Sequence, residues 1–369
     1  MSEPMHVVDL LIRLLSAPSI TPDDAGLMDF VTEYLPGYEA IRVDEGGVKN
    51  LFLTRKFGEG DHLCFAGHVD VVPPGEGWQS DPFVPRIEEG NLYARGAQDM
   101  KSGVAAAMAA LREVEAFPGR LSLLLTSDEE GEATYGTQIM LAHLKEIGLL
   151  PDSCIVAEPT CEERFGDAIK IGRRGSINGY LTIRGRQGHA AYPEKAVNPV
   201  HQIAPRLAEL AGVDLDSGDA NFAPSKLVIT DIRGGMEVTN VTPAELKIMF
   251  NVRNNTRTTA EEVRAHVERV CEGLDFELKL TQGSWPFVTD REAPIVTRLA
   301  RSIEEVAGQR PAYSTAGGTS DARFMGQYGI DVVEFGPRND TIHAANERVA
   351  ITEVEGLYRV FADLIGRWE

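Results

Sequence analysis

The sequence predicts an α/β protein with a mostly parallel central sheet and a second, smaller α+β domain inserted into it. Three observations carry that reading. The first half of the chain alternates strand-like and helix-like segments, the pattern of parallel strands joined by crossover helices. Between about Gly175 and Trp285 the order becomes βαββαβ, a ferredoxin-like unit. Beyond Pro286 the first alternation resumes. A chain of 369 residues has room for two such cores. The expected division is 1–174 with 286–369 for the larger domain and 175–285 for the insert.

Taken in order, Val7, Leu10, Leu11, Leu14 and Leu15 share one face of an amphipathic first helix. Glu3 and Asp9, with no basic start, set this segment apart from a secretory signal. The apolar run 63–66 is a strand ending in Gly67-His68-Val69-Asp70. Leu92-Tyr93-Ala94 leads to Asp99, and an alanine-rich helix over 102–115 stops before Pro118-Gly119. The apolar strand 121–125 runs into Asp128-Glu129-Glu130. A helix over 137–146 follows, and Ile155-Val156-Ala157 delivers Glu158. In the insert, strands cover 178–184, 226–232, 245–252 and 276–280, with helices over 199–211 and 260–272. A last strand, 332–335, precedes His343. Each polar cluster thus falls at or just past a strand end, where ligand sites of open α/β sheets form.

Composition excludes several functions. Lys and Arg number 36 against 56 Asp and Glu, a formal charge of −20 that opposes binding to nucleic acid or an anionic membrane. Four cysteines without a C-x-x-C pair make no disulfide scaffold, so free thiols and a reducing cytoplasm are expected. No phosphate loop, dinucleotide turn or H-E-x-x-H helix is present. Gly318-Thr319-Ser320-Asp321-Ala322 lacks the second glycine of a nucleophile elbow, which disfavours a serine hydrolase.

What remains is chemistry by histidines and carboxylates, the ligands that suit zinc and its neighbours. His68 alone fits a structural histidine as well as a ligand. Asp70, two residues on, points the same way along a strand and can accept the proton of its distal nitrogen, fixing a metal-binding tautomer. Asp99 suits either a ligand or the N-cap of the helix behind it. Glu129 and Glu130 are adjacent and must point differently, so one can bind metal while the other handles protons. A solvated acidic loop is the bland alternative, weakened by the buried strand just before it.

The runs G-H-V-D-V-V-P at 67–73, G-A-Q-D-M-K-S-G at 96–103, S-D-E-E-G at 127–131 and A-E-P-T at 157–160, with the late His343, resemble the dinuclear zinc aminoacylase and carboxypeptidase family. G-R-R-G-S-I-N-G at 172–179, Q-G-H-A-A-Y-P at 187–193, N-P-V-H at 198–201 and G-G-T-S-D-A-R-F at 317–324 carry the resemblance through nearly the whole chain. It implies a zinc-peptidase-like catalytic domain with an inserted lid and dimerisation domain. The activity implied is hydrolysis of an amide. Asp99 would bridge two zinc ions, with His68 and Glu158 on one and Glu130 and His343 on the other. Cobalt or manganese are possible substitutes in so carboxylate-rich a site. Glu129 would be the general base, with Asp70, the partner of His68, also counted among the catalytic residues. A glutamate at 158 goes, in that family, with N-acyl amino acid substrates. Arg173, Arg174, Ser176, Tyr192, Asn240, Arg253 and Thr319 resemble positions that hold substrate carboxylates. His189 would reach across a homodimer to the reacting carbonyl, although from the residues alone it is a loop histidine. A sister deacylase, a carboxypeptidase and a non-catalytic metal-binding scaffold are the competing readings.

Overall fold

The computed structural model describes residues 5–368. The chain forms two compact units, the first reaching to Gly172 and resuming over Thr289–Ser314 and from Ser320 onward. Arg173–Val288 and Thr315–Thr319 form the second. The sequence reading left Thr315–Thr319 with the larger domain. It joins the smaller one because the Thr315 hydroxyl donates to the Asn221 carbonyl at 2.5 Å and the Ala316 carbonyl accepts from Arg173 at 3.0 Å.

The first unit is built on an eight-stranded sheet. Its strand order is Glu39–Arg42, Asn50–Lys56, Arg120–Thr126, His62–His68, Ser153–Val156, Asp331–Glu334, Ala168–Lys170, Ala312–Ser314. The central four strands, from Arg120–Thr126 to Asp331–Glu334, run parallel. They are buried along almost their whole length, which explains why they read as continuous apolar runs rather than alternating ones. The amphipathic first helix, Val7–Leu15, buries all five face residues named above together with Val8. Burial of this kind contributes about 2 kcal/mol per Leu or Val side chain. It packs on the helix Lys101–Arg112, which also lies against Ile351–Gly366 and the His62–His68 strand. Leu92 and Tyr93 belong to a separate three-stranded sheet of Arg86–Glu88, Asn91–Tyr93 and Arg348–Ala350.

The second unit is a four-stranded antiparallel sheet in the order Lys226–Gly234, Glu245–Arg253, Ser176–Arg184, Phe276–Ser284. Numbered along the chain this is 2-3-1-4, the ferredoxin-like order expected from βαββαβ. Ile177, Leu181 and Ile183 point to a core shared with Ile248, Phe250, Val263 and Val267. Gly179 continues that inward face, and a Cβ there would collide with the Phe250 ring. The helix expected over 199–211 is broken into Pro199–Ile203, a 3-10 turn Ala204–Arg206 and Leu207–Leu210. Pro205 is the cause: it lacks an N–H and its ring crowds the carbonyl four residues back.

Candidate metal centre

Parallel strands deliver their carboxyl ends to one edge of the sheet, and the candidate donors collect there. His68 is the last residue of its strand, Glu158 lies just past Ser153–Val156, and Glu129 and Glu130 just past Arg120–Thr126. Asp99 precedes the helix Lys101–Arg112, whose cap position is Met100 without a side-chain cap bond, so the N-cap reading of Asp99 is set aside. The helix approaches closely because residue 103 is glycine; a Cβ there would meet the Ala157 carbonyl. His343 sits in the turn between Asp331–Glu334 and Arg348–Ala350 with a left-handed φ of 59°.

Asp99 faces both histidines with different oxygens. Its Oδ1 lies 3.2 Å from His68 Nε2, and its Oδ2 3.4 Å from His343 Nε2. Glu158 Oε1 completes the first cluster at 3.8 Å from His68 Nε2, and Glu130 Oε1 the second at 3.0 Å from His343 Nε2. The trios His68–Asp99–Glu158 and Asp99–Glu130–His343 each bring one ligand atom per residue within 4.8 Å of the others. Glu129 Oε2 stands 4.0 Å from His68 Nε2, and a third trio of His68, Glu129 and Glu130 is also compatible with an ion.

The donor chemistry fits cations. His68 Nδ1 donates to the Asp70 carbonyl at 2.8 Å, so in the neutral ring Nε2 carries the lone pair. That lone pair then faces carboxylate oxygens, acceptor against acceptor, unless positive charge lies between them. The electrostatics agree. Burial alone would depress the His68 imidazolium, yet Asp99, Asp70, Glu129 and Glu158 together hold its pKa well above the ordinary value. His343 is pushed up to about 10 by its bonds to Asp99 and Glu130. Burial would raise Asp99, but its bonds to the two histidines hold it below the usual carboxylate range. Burial, then repulsion from Asp99 and Glu129, pushes Glu158 well up. Burial likewise raises Glu129 against the pull of His68, with repulsion from Asp321, Asp99 and Glu130 adding to it. Two divalent ions would supply the countercharge that these crowded carboxylates draw in as protons.

Asp70 differs from expectation. Its carboxylate is 3.6 Å from His68 Nδ1, and the Asp70 carbonyl takes that proton instead. The strand ends at His68, so the strict two-residue alternation no longer applies to residue 70. The buried carboxylate accepts from the Thr21 hydroxyl at 2.7 Å and from the backbone N–H groups of Glu129 and Glu130 at 3.4 and 3.2 Å. It braces the turn that carries the base candidate.

Sequence reasoning missed the residues that tie the Asp99 loop to the His343 loop. Glu347 accepts from the N–H groups of Gly96, Gln98 and Asp99 and pairs with Arg95 at 2.8 Å. Gln98 donates to Asp340 at 2.6 Å and accepts from the Thr341 N–H at 2.7 Å. The available signal was positional: an Arg four residues before Asp99 and a Glu four residues after His343.

The remaining candidates all lie in the second unit and form three local groups. His189 and Tyr192, rings 5.8 Å apart and both exposed, lie on a turn beside Asn240, whose carbonyl accepts from the Ala190 N–H at 2.9 Å. Ser176 accepts from Asn251 at 2.8 Å where its strand pairs with the one that ends at Arg253. Arg173 is buried against the Thr315–Thr319 stretch, with Arg174 half-buried beside it and Thr319 exposed. All four cysteines are free and buried. Among the described residues no helix is long and apolar enough to cross a membrane.

The chain is similar to known proteins over nearly its whole length. The chain is 65% identical over 98% of its length, and 98% of the relative's, to a succinyl-diaminopimelate desuccinylase of Sulfurovum sp. (strain NBC37-1). It is 62% identical to another of that name from Sulfurimonas denitrificans, covering 99% of this chain and 100% of the relative. A solved dinuclear metal-binding peptidase of the M20 family from Bacillus subtilis superposes with a TM-score of 0.72 at 14% identity, covering 97% and 96% of the two chains. Residues 64–367, which contain all five candidate donors and Glu129, match the profile of peptidase family M20/M25/M40, and the chain belongs to that family.

Proposed function

We propose that the protein is a metal-dependent amide hydrolase that cleaves N-succinyl-L,L-2,6-diaminopimelate to succinate and L,L-2,6-diaminopimelate. The observation that carries this is the convergence of five donors and Glu129 at one sheet edge in a chain 65% identical, end to end, to a protein named for that reaction. His68, Asp99 and Glu158 would hold one ion and Asp99, Glu130 and His343 the other. The ions are zinc, with cobalt or manganese able to substitute. When bound they supply Lewis acidity, polarising the amide carbonyl and acidifying water.

The chain's own groups do the rest. Glu129 takes the proton of the attacking water and returns it to the leaving amine, a role suited to a carboxyl whose burial keeps it basic. Asp70 fixes the Glu129 backbone through its N–H and orients His68 through its own carbonyl. The substrate carries three carboxylates, and Arg173, Arg174 and Arg253 with Ser176, Tyr192, Asn240 and Thr319 bind them, guanidinium forks matching carboxylates bidentately. His189 of a second copy, in a homodimer formed through the inserted domain, hydrogen-bonds the carbonyl oxygen as it gains charge.

The test is turnover of the zinc-loaded protein on N-succinyl-L,L-diaminopimelate beside N-acetylornithine, each with and without chelator. Chelator-sensitive turnover confined to the succinyl compound is expected. Turnover of the acetyl compound alone would overturn the substrate and keep the chemistry, and turnover of the succinyl compound that survives full removal of metal would overturn the metal role.

A further inference from the structure

The Glu347 carboxylate is buried, with a side chain 1% exposed, and all of its acceptor capacity is used. Oε1 accepts from the backbone N–H groups of Gln98 at 2.8 Å and Asp99 at 3.0 Å. Oε2 accepts from the Gly96 N–H at 2.9 Å and from Arg95 Nη1 at 2.8 Å. Three of these four bonds go to the backbone that ends in Asp99. The other nitrogen of Arg95, Nη2, donates to the carbonyls of Pro74 at 3.1 Å and His343 at 3.4 Å, and the guanidinium lies 5.2 Å from the Trp78 ring. One ion pair therefore spans from the N–H of Asp99 to the C=O of His343.

We propose that Arg95 and Glu347 are positioning residues for the second ion, setting the backbone of Asp99 and His343 so that both reach it together with Glu130. The inference rests on the metal reading above. His343 is the donor with least other restraint: its side chain is 49% exposed and its backbone is in the left-handed region, where a β-carbon is crowded. His68 and Glu158, by contrast, are held at the ends of paired strands. The Arg338–Glu353 pair keeps its bonds to itself, Glu353 accepting from Arg338 Nε at 2.5 Å and from the N–H of that same arginine at 3.0 Å. Glu347 spends three of its four bonds on the loop that bears a ligand.

Glu347→Gln is the decisive variant, because its amide can accept only on one side and turns an N–H₂ toward the donors of Gly96 and Arg95. The metal-free wild type, titrated with Co²⁺ and followed by visible absorption and calorimetry, is expected to take two ions; failure here would overturn the metal reading and this inference with it. In Glu347→Gln both ions lose some support at Asp99, but only the second also loses it at His343, so the second should bind about 10- to 100-fold more weakly and the first clearly less so. Once metal is saturating, KM should be unchanged and kcat largely restored. Glu353→Gln, which breaks the comparable pair, should leave both affinities alone whatever it does to melting temperature. If Glu347→Gln fails to fold, Arg95→Lys carries the test: it keeps the charge, loses the link to the His343 carbonyl, and should weaken the second ion selectively. Equal weakening of both ions, unchanged affinities, or a loss that tracks melting temperature as in Glu353→Gln would each overturn the proposal.

Discussion

The two halves of the donor set are built by different means. His68 and Glu158 follow parallel strands whose hydrogen-bond ladders fix the backbone on both sides, and their side chains are 1% and 9% exposed. Glu130 and His343 stand on turns, and His343 is half open to solvent. The sheet positions the backbone of the first pair, and the Asp70 carbonyl, two residues past His68, is the one further group that holds the His68 ring. The second pair depends on polar side chains that reach from one loop to another: Asp70 to the Glu129–Glu130 turn, Gln98 to Thr341, and Arg95 with Glu347 to Asp99 and His343. Rigidity supplied by secondary structure and rigidity supplied by side-chain bonds meet at Asp99, the residue common to both halves.

The largest expected effect falls on the group assigned to neither half. Glu129→Gln keeps the shape and removes the base, so kcat should fall by about 100- to 10,000-fold while plasma emission analysis still finds two ions per chain. Loss of an ion in that variant would make Glu129 a ligand, in line with the His68–Glu129–Glu130 trio, and would redraw the comparison. Removing one histidine from each half comes next. His343→Ala should leave one ion and a melting temperature within a few degrees of wild type, since an exposed imidazole on a turn contributes little packing. His68→Ala strands the Glu158 and Asp99 carboxylates in a buried site and should lower unfolding free energy in urea by about 3 kcal/mol as well as costing an ion. Equal stability losses in the two variants would erase the distinction between a sheet-held and a loop-held half.

The first half was legible in the sequence, and the second only partly. An apolar run that stops at a histidine or an acid announces a strand end, and His68, Glu129, Glu130 and Glu158 all follow such runs. Alternation gave the ferredoxin-like insert for the same reason, since Ile177, Leu181 and Ile183 keep a period of two. What periodicity cannot see is a bond between loops far apart in the chain. Glu347 lies more than two hundred residues from the Asp99 N–H it accepts, and nothing local marks it as buried. The role of Asp70 was missed because the two-residue alternation was carried past the end of its strand. The break at Pro205 was readable and was overlooked: proline inside a helical pattern ends or kinks it.

A smaller effect tests the sheet-held half at its other end. His62 and His68 begin and end the same strand, yet their surroundings push them in opposite directions. The carboxylates draw His68 toward the charged form. His62 is buried opposite Arg120, bonded through Nε2 to the Ser122 hydroxyl at 2.8 Å, and is pushed down to about 4, by burial first and Arg120 second. Unfolded, it would titrate near 6.5. The folded state therefore holds the neutral ring, the unfolded chain binds the extra proton between these values, and stability that is complete above about pH 6.5 is lost as pH falls toward 4. Over the interval from pH 7.5 to 5 the linkage amounts to about 2 kcal/mol. His62→Gln retains a partner for Ser122 and cannot titrate. Urea unfolding of wild type and variant, both stripped of metal so that the donors cancel between them, should show the wild type losing about 2 kcal/mol more than the variant across that interval. Parallel curves would mean that His62 is solvated enough to protonate in place, and that the strand is held firmly only at the end where the donors sit.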